Sequence, residues 1–300
     1  MNHQLRGILA LLLVTLVWGT TFPAMKALTA DVSPAWIVFT RFALAALLLS
    51  PFLVRGARSD LRSGALLGLL LFFCYVLQVE GLNLTSSNRN AFICGLNVLI
   101  VPLLGILAGR PPERRIWIAL ALAVAGLGAL CWDGGAWRFG DTLALGAALC
   151  FGLYIKMMEV HTRAATRLMT ITAMQIATVA GCAAVWLLVT EVPLGGSGFD
   201  AYAQNIVASL RGGSGNIVYL GVVATAAIIS LQTWGQSHST ANEAAVIYAF
   251  EPAAAAFFAF FWLGETMTER GWIGAALLIS GMIASQWNSE RRPAGALVPE

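Results

Sequence analysis

The chain has 300 residues, of which 58% are hydrophobic and 11% charged, with a formal net charge of +3 and a mean hydropathy of +0.77. A soluble domain carries about 25% charged residues, so cytosolic enzymes, nucleic-acid binders and disordered chains are disfavoured together. A transmembrane β-barrel is disfavoured as well, because barrel strands alternate polar and apolar over roughly 10 residues whereas Leu66 to Phe73 is continuously apolar.

Taken in chain order, the apolar runs predict ten spanning helices, centred near Thr15, Ala45, Phe72, Leu99, Val124, Ala148, Thr178, Ala226, Phe257 and Leu278. Helices are required because hydrocarbon cannot satisfy free backbone groups. At about 20 residues per span, they leave only short connections and no soluble domain. The polar breaks fall at Ser33-Pro34, Arg55 to Ser63, Asn83 to Asn90, Gly109 to Arg115, Asp133 to Asp141, Glu159 to Arg167, Val192 to Gly215, Gln236 to Asn242 and Gly264 to Gly271. The run after Arg6 reads as a retained first span, since Trp18-Gly-Thr-Thr-Phe-Pro offers no small-residue cleavage site. Cys74, Cys94, Cys131, Cys150 and Cys182 lie in or beside apolar runs without a Cys-x-x-Cys pair, so they read as small packing residues, with no disulfide framework or zinc site.

Lys and Arg concentrate on the cytoplasmic side of a membrane. With the N-terminus inside, that side holds Arg6, Arg55, Arg58, Arg62, Arg110, Arg114, Arg115, Lys156, Arg163, Arg167, Arg291 and Arg292, and the outside holds Lys26, Arg89, Arg138, Arg211 and Arg270. The twelve-to-five bias predicts both termini cytoplasmic and the Val192 to Gly215 loop external. Arg41 lies inside a span and is expected to snorkel outward.

The chain also resembles itself. Leu77-Gln78, Gly81, Asn88, Ala91 and Ile93 recur 154 residues later as Leu231-Gln232, Gly235, Asn242, Ala245 and Ile247. Trp117-Ile118 and Gly126 recur at an offset of 155, and Gly7 and Gly19 recur at 133 as Gly140 and Gly152, with Trp18 opposite Phe151. Spans one to five and six to ten are then two copies, and an odd number per copy places them in opposite orientations. The expected fold is an all-α membrane protein of ten transmembrane helices in two inverted five-helix repeats, residues 1–138 and 139–290, followed by a cytoplasmic tail, 291–300.

Trp18-Gly19 with Pro23, Arg41, Pro102, Glu251-Pro252, Leu263-Gly264-Glu265 before Trp272, and the closing Gly281 resemble the ten-helix drug/metabolite transporter superfamily, in particular proteins built from two EamA-type repeats. The first half departs from the pattern: Gly109-Arg110-Pro111-Pro112-Glu113 replaces Leu-Gly-Glu, and Pro102 corresponds to Ala256, about one turn beyond Pro252. The resemblance implies a carrier in the bacterial inner membrane for small metabolites, often an exporter. Its amino-acid exporter subgroup is the suspected one.

A carrier needs polar groups at mid-membrane to replace cargo hydration, and aromatic surface for an apolar side chain. Helical spacing nominates Trp18, Thr21 and Phe22 in span one and Tyr154 in span six, one of their repeat partners. Tyr75 and Gln78 in span three, Gln232 in span eight, Asn97 in span four, and Tyr248 and Glu251 in span nine complete the candidate substrate-binding set. Each has a plainer reading as a helix-bridging or packing residue. Glu251 stands out because a carboxylate at a helix centre costs roughly 2.5 to 3.5 kcal/mol; it could be protonated, pair with a cationic group, or cap backbone beside Pro252. His3 and His161 read as interfacial and His238 as a loop residue.

The expected function is outward movement of small amphipathic metabolites, most of all amino acids including apolar and aromatic ones, by alternating access. The expected partners are the lipid bilayer and a small-molecule substrate, with no nucleic acid, cofactor or metal. A passive facilitator shares this fold and stays open as an alternative. An intramembrane serine protease is weaker, because Gly195-Gly-Ser-Gly198 and Gly212-Gly-Ser-Gly215 both lie in the polar loop, where a nucleophile would not be buried.

Overall fold

The computed structural model describes residues 3–29, 32–54, 56–85, 87–109, 111–132, 136–192, 198–263 and 268–287. The predicted tail 291–300 lies outside the described residues. All regular structure among those described is helical: α1 (His3–Thr29), α2 (Pro34–Leu49), α3 (Arg58–Leu84), α4 (Ser87–Gly95), α5 (Asn97–Leu107), α6 (Arg114–Cys131), α7 (Phe139–Arg163), α8 (Leu168–Thr190), α9 (Gly198–Gly212), α10 (Ser214–Val218), α11 (Ile228–Ser237), α12 (Ala241–Tyr248), α13 (Glu251–Leu263) and α14 (Glu269–Gln286). A π-helical stretch, Tyr219–Ala227, joins α10 to α11.

Eight segments among the described residues are long and apolar enough to cross a membrane: Gln4–Thr21, Pro34–Phe52, Arg58–Leu84, Asn90–Leu107, Arg114–Cys131, Phe139–Arg163, Leu168–Thr190 and Ser214–Ser237. They match the first eight expected spans. The ninth and tenth correspond to α12 with α13, and to α14. These fall outside the eight because α12 and α13 are 8 and 13 residues long, separated at Ala249 and Phe250, and α14 opens on Glu269 and Arg270. The outer surface is apolar, with side chains such as Leu47, Val54, Leu107 and Val189 exposed, as a lipid-facing surface requires.

Helix ends carry the sequence's polar breaks, because terminal N–H and C=O groups lack helical partners. Ser33 Oγ accepts from Trp36 N, with Pro34 opening α2. Thr240 and Glu243 form a capping box on α12, and Thr268 caps α14. The buried Asp60 carboxylate accepts from the amides of Thr166 and Arg167 just before α8. α5 stops at Gly109, whose φ of +69° is a conformation that side-chain-bearing residues avoid. The Val192 to Gly215 segment, expected as a loop, instead contains α9 and the start of α10. Its Ala, Gln, Leu and Arg content favours helix once Gly213 separates the two pieces.

Small residues bring the helices together where apolar burial gives no driving force between lipid-bathed segments. A Cβ at Gly19 of α1 would lie 2.9 Å from Ala254 Cβ in α13, and one at Gly152 of α7 would lie 2.6 Å from Ile100 Cβ in α5. One at Gly126 of α6 would lie 2.8 Å from the Gly274 carbonyl in α14, and one at Gly281 would lie 2.9 Å from that of Ala119. α3 packs on α7 and α8, α1 on α11, α12 and α13, and α2 on α8 and the π-helical stretch. The largest core cluster, including Leu11, Phe42, Leu67, Tyr154, Ile176 and Ile247, runs through these crossings.

Candidate functional site

Two of the expected spans are broken near mid-length. α4 gives way to α5 at Leu96, and α12 gives way to α13 at Ala249 and Phe250. The second break has a local cause: Pro252 supplies no N–H and clashes with a helix continuing from before it, so the helix restarts at Glu251-Pro252. The fourth-span proline, Pro102, lies instead inside α5, well past the break. α1 runs unbroken through position 23.

Both breaks open onto one cavity with about 60 Å³ of free space, room for a few water molecules. Its wall draws Trp18 from α1, Leu71, Tyr75 and Gln78 from α3, and Ala91, Cys94 and Gly95 from α4. Asn97 comes from α5, Phe151, Tyr154 and Ile155 from α7, Ile229 and Gln232 from α11, Tyr248 from α12, and Glu251 and Pro252 from α13. Trp18, Tyr75, Gln78, Asn97, Tyr154, Gln232, Tyr248 and Glu251, all nominated from sequence, thus meet at one place. Thr21 does not join them: it is buried, and its Oγ1 donates to the Trp18 carbonyl at 2.8 Å. The side chain of Phe22 lies outside the described residues. His238 stands at the end of α11, away from this wall, with its ring 4.7 Å from that of Trp234.

Leu71, Cys94 and Ile229 were not among the nominated residues. An offset of 154 maps Tyr75 to Ile229, Cys94 to Tyr248 and Asn97 to Glu251, so the repeat itself contained the signal for two of them. Their apolar or weakly polar character hid them from a search for polar side chains.

The wall's polar groups divide into those already engaged and those not. Tyr154 Oη donates to Gln175 Oε1 at 3.0 Å, and Gln175 Nε2 donates to Thr233 Oγ1 at 3.2 Å, tying α7, α8 and α11 together. Tyr248 Oη donates to Gln236 Oε1 at 3.3 Å, and Gln236 Nε2 donates to the Ile155 carbonyl at 3.2 Å. These two tyrosines line the cavity, and their hydroxyls bridge helices. By contrast, Trp18 Nε1 and Asn97 Oδ1 are buried without a hydrogen-bond partner. The Trp18 ring lies 5.5 Å from that of Tyr248 at an interplanar angle of 47°, which holds its N–H edge in place.

Arg41 departs from its expected outward course. It is 2% exposed, its Nε donates to Thr225 Oγ1 at 2.9 Å, and its guanidinium carbon lies 5.1 Å from the Tyr75 ring centroid and 5.3 Å from that of Phe42. A hydroxyl on the π-helical stretch and two aromatic faces replace the water that snorkelling would have reached.

The model of the EamA-like transporter family matches residues 5–131 and again 138–285. A protein of Archaeoglobus fulgidus named "uncharacterized transporter" is 28% identical over 276 residues, covering 92% of this chain and 84% of the relative. A protein of Streptantibioticus cattleyicolor named "probable terminal-alkyne amino-acid exporter" is 28% identical over 294 residues, covering 93% and 92%. A solved crystal structure superposes with a TM-score of 0.73 at 18% identity, over 93% of this chain and 96% of the other, a likeness of fold.

Proposed function

The chain belongs to the EamA-like transporter family and is a multi-pass membrane protein; from that premise we propose that it carries small amphipathic metabolites, amino acids foremost, outward across a bacterial inner membrane by alternating access. It works as a carrier and not as an enzyme. Its ten membrane helices form two inverted repeats, residues 1–138 and 139–290, with both termini in the cytoplasm.

The observation that carries this reading is a central cavity whose wall takes repeat-related residues from both halves, Asn97 with Glu251 and Gln78 with Gln232. The paired glycine crossings support the repeat: Gly19 on Ala254 corresponds to Gly152 on Ile100, and Gly126 on Gly274 to Gly281 on Ala119. The two separate family matches support the same division. Halves that pack alike can exchange conformations, which would open one central site to either side in turn. Amino acids are favoured as cargo because the wall mixes aromatic rings with amide and carboxylate groups, and because one relative is named as a probable amino-acid exporter.

The test is flux through purified protein in liposomes, with the standard L-amino acids as probes. Saturable uptake with counterflow is expected. Flux that never saturates would make the protein a channel, and no protein-dependent flux of any amino acid would overturn the cargo assignment.

A further inference from the structure

The cavity wall is related by position but not by chemistry. Asn97 faces the role that Glu251 plays in the other half, Cys94 that of Tyr248, Phe151 that of Trp18, and Ile229 that of Tyr75. A wall that treated both ends of its cargo alike would not need this asymmetry. The polar groups without partners are distributed in the same unequal way. Asn97 Oδ1 is an acceptor and Trp18 Nε1 a donor, both buried and unpaired. Among the described residues, the Glu251 carboxylate likewise has no direct hydrogen-bond or ion-pair partner. Elsewhere in the interior such groups are paired, as Gln175, Gln236 and Tyr154 show. An unpaired buried polar atom costs about 1–3 kcal/mol, a cost that a ligand with complementary groups removes.

Donor and acceptor chemistry narrows the ligand further. The wall offers Asn97 Oδ1 and the Glu251 carboxyl as acceptors and Trp18 Nε1 as a donor, which complement an ammonium and a carboxylate. A cargo lacking either of those groups would leave one side of the wall unpaired in a poorly solvated interior. A zwitterion would not. Resting on the carrier reading above, we propose that this site selects free zwitterionic amino acids, with Glu251 and Asn97 Oδ1 accepting from the cargo's ammonium and Trp18 Nε1 donating to its carboxylate. Tyr248 positions the Trp18 ring.

The experiment uses the full-length protein in liposomes. Each standard L-amino acid showing saturable counterflow is compared with its N-acetyl derivative, its decarboxylated amine and its deaminated acid. Free amino acids are expected to exchange about 10- to 100-fold faster than any of the three. Trp18→Phe is expected to erase most of the preference for the amino acid over the amine, and Asn97→Leu most of the preference over the deaminated acid. N-acetyl derivatives exchanging as fast as free amino acids would overturn the proposal, as would variants that slow all probes in equal proportion. If Asn97→Leu fails to assemble, the wild-type analogue series alone decides. Absence of amino-acid flux altogether strikes the cargo assignment of the proposed function, a result separate from loss of discrimination among analogues.

Discussion

Asn97 and Glu251 stand in the same register of two broken helices: each is the first residue of the second piece, α5 or α13, and both reach the same cavity. The relationship joins a sequence offset to a spatial one. Residues 154 apart in the chain come to line one cavity, each at the point where a broken helix restarts. Several consequences of this arrangement can be measured.

Gly19→Ala is expected to destabilise the folded protein by about 1–3 kcal/mol. Its new Cβ would meet the Ala255 amide nitrogen at 2.8 Å as well as Ala254, and a backbone atom cannot rotate away. A Cβ at Gly181 would meet nothing within 4 Å, so Gly181→Ala should be neutral or stabilising by up to about 1 kcal/mol. Thermal unfolding of the two variants in detergent gives the comparison, and equal losses would refute the close-crossing explanation.

Glu243 is buried at 1% exposure and takes Arg115 Nη2 at 3.1 Å and the Thr240 amide at 3.0 Å. Glu243→Ala would leave the Thr240 amide without its acceptor and Arg115 with only Glu113 and the Ser285 carbonyl as partners, at a cost of about 2–3 kcal/mol after allowing for Arg115's partial contact with water. The double variant Arg115→Met with Glu243→Met is expected to be less damaging than Glu243→Ala alone. Additive losses in a double-mutant cycle would argue against an energetic pair.

Tyr154→Phe should cost about 1 kcal/mol, because Gln175 Oε1 loses the donor that it meets at 3.0 Å. Since that hydroxyl is engaged in bridging helices, the order of cargo preference should survive. A reordered amino-acid profile in liposomes would instead give the hydroxyl a direct part in binding.

Thr225→Val removes the acceptor of Arg41 Nε while preserving shape. A hydrogen bond to a charged group is worth about 1.5–3 kcal/mol, so a loss in that range is expected, and Thr225→Ser should restore most of it. Unfolding temperatures of the pair test this, with no difference between valine and serine as the adverse result.

A single cysteine at Pro112, in a background lacking the five native cysteines, is expected to react with an impermeant reagent only from the cytoplasmic face. Labelling from outside would invert the topology read from the Lys and Arg distribution.

The sequence by itself determined the membrane environment, the positions of the first eight spans, the polar breaks at their ends and most of the cavity's polar residues. These follow from local properties: apolar run length, the need to satisfy terminal backbone groups, and a repeat visible as recurring Gly, Trp and Gln. The same locality explains what was missed. A lone arginine in an apolar run reads as one that must reach water, and only the packed neighbours Thr225, Tyr75 and Phe42 show that Arg41 turns inward. Cys94 and Ile229 carry no polar flag, yet helix fragments brought together by glycine crossings place them on the cavity wall. Likewise, the polar groups Tyr154 Oη, Trp18 Nε1 and Asn97 Oδ1 are equivalent in a sequence, and only the tertiary structure decided that the first is engaged and the other two are not. Hydrogen bonding between distant segments depends on which helices meet and at what register, and that is a property of the packed whole.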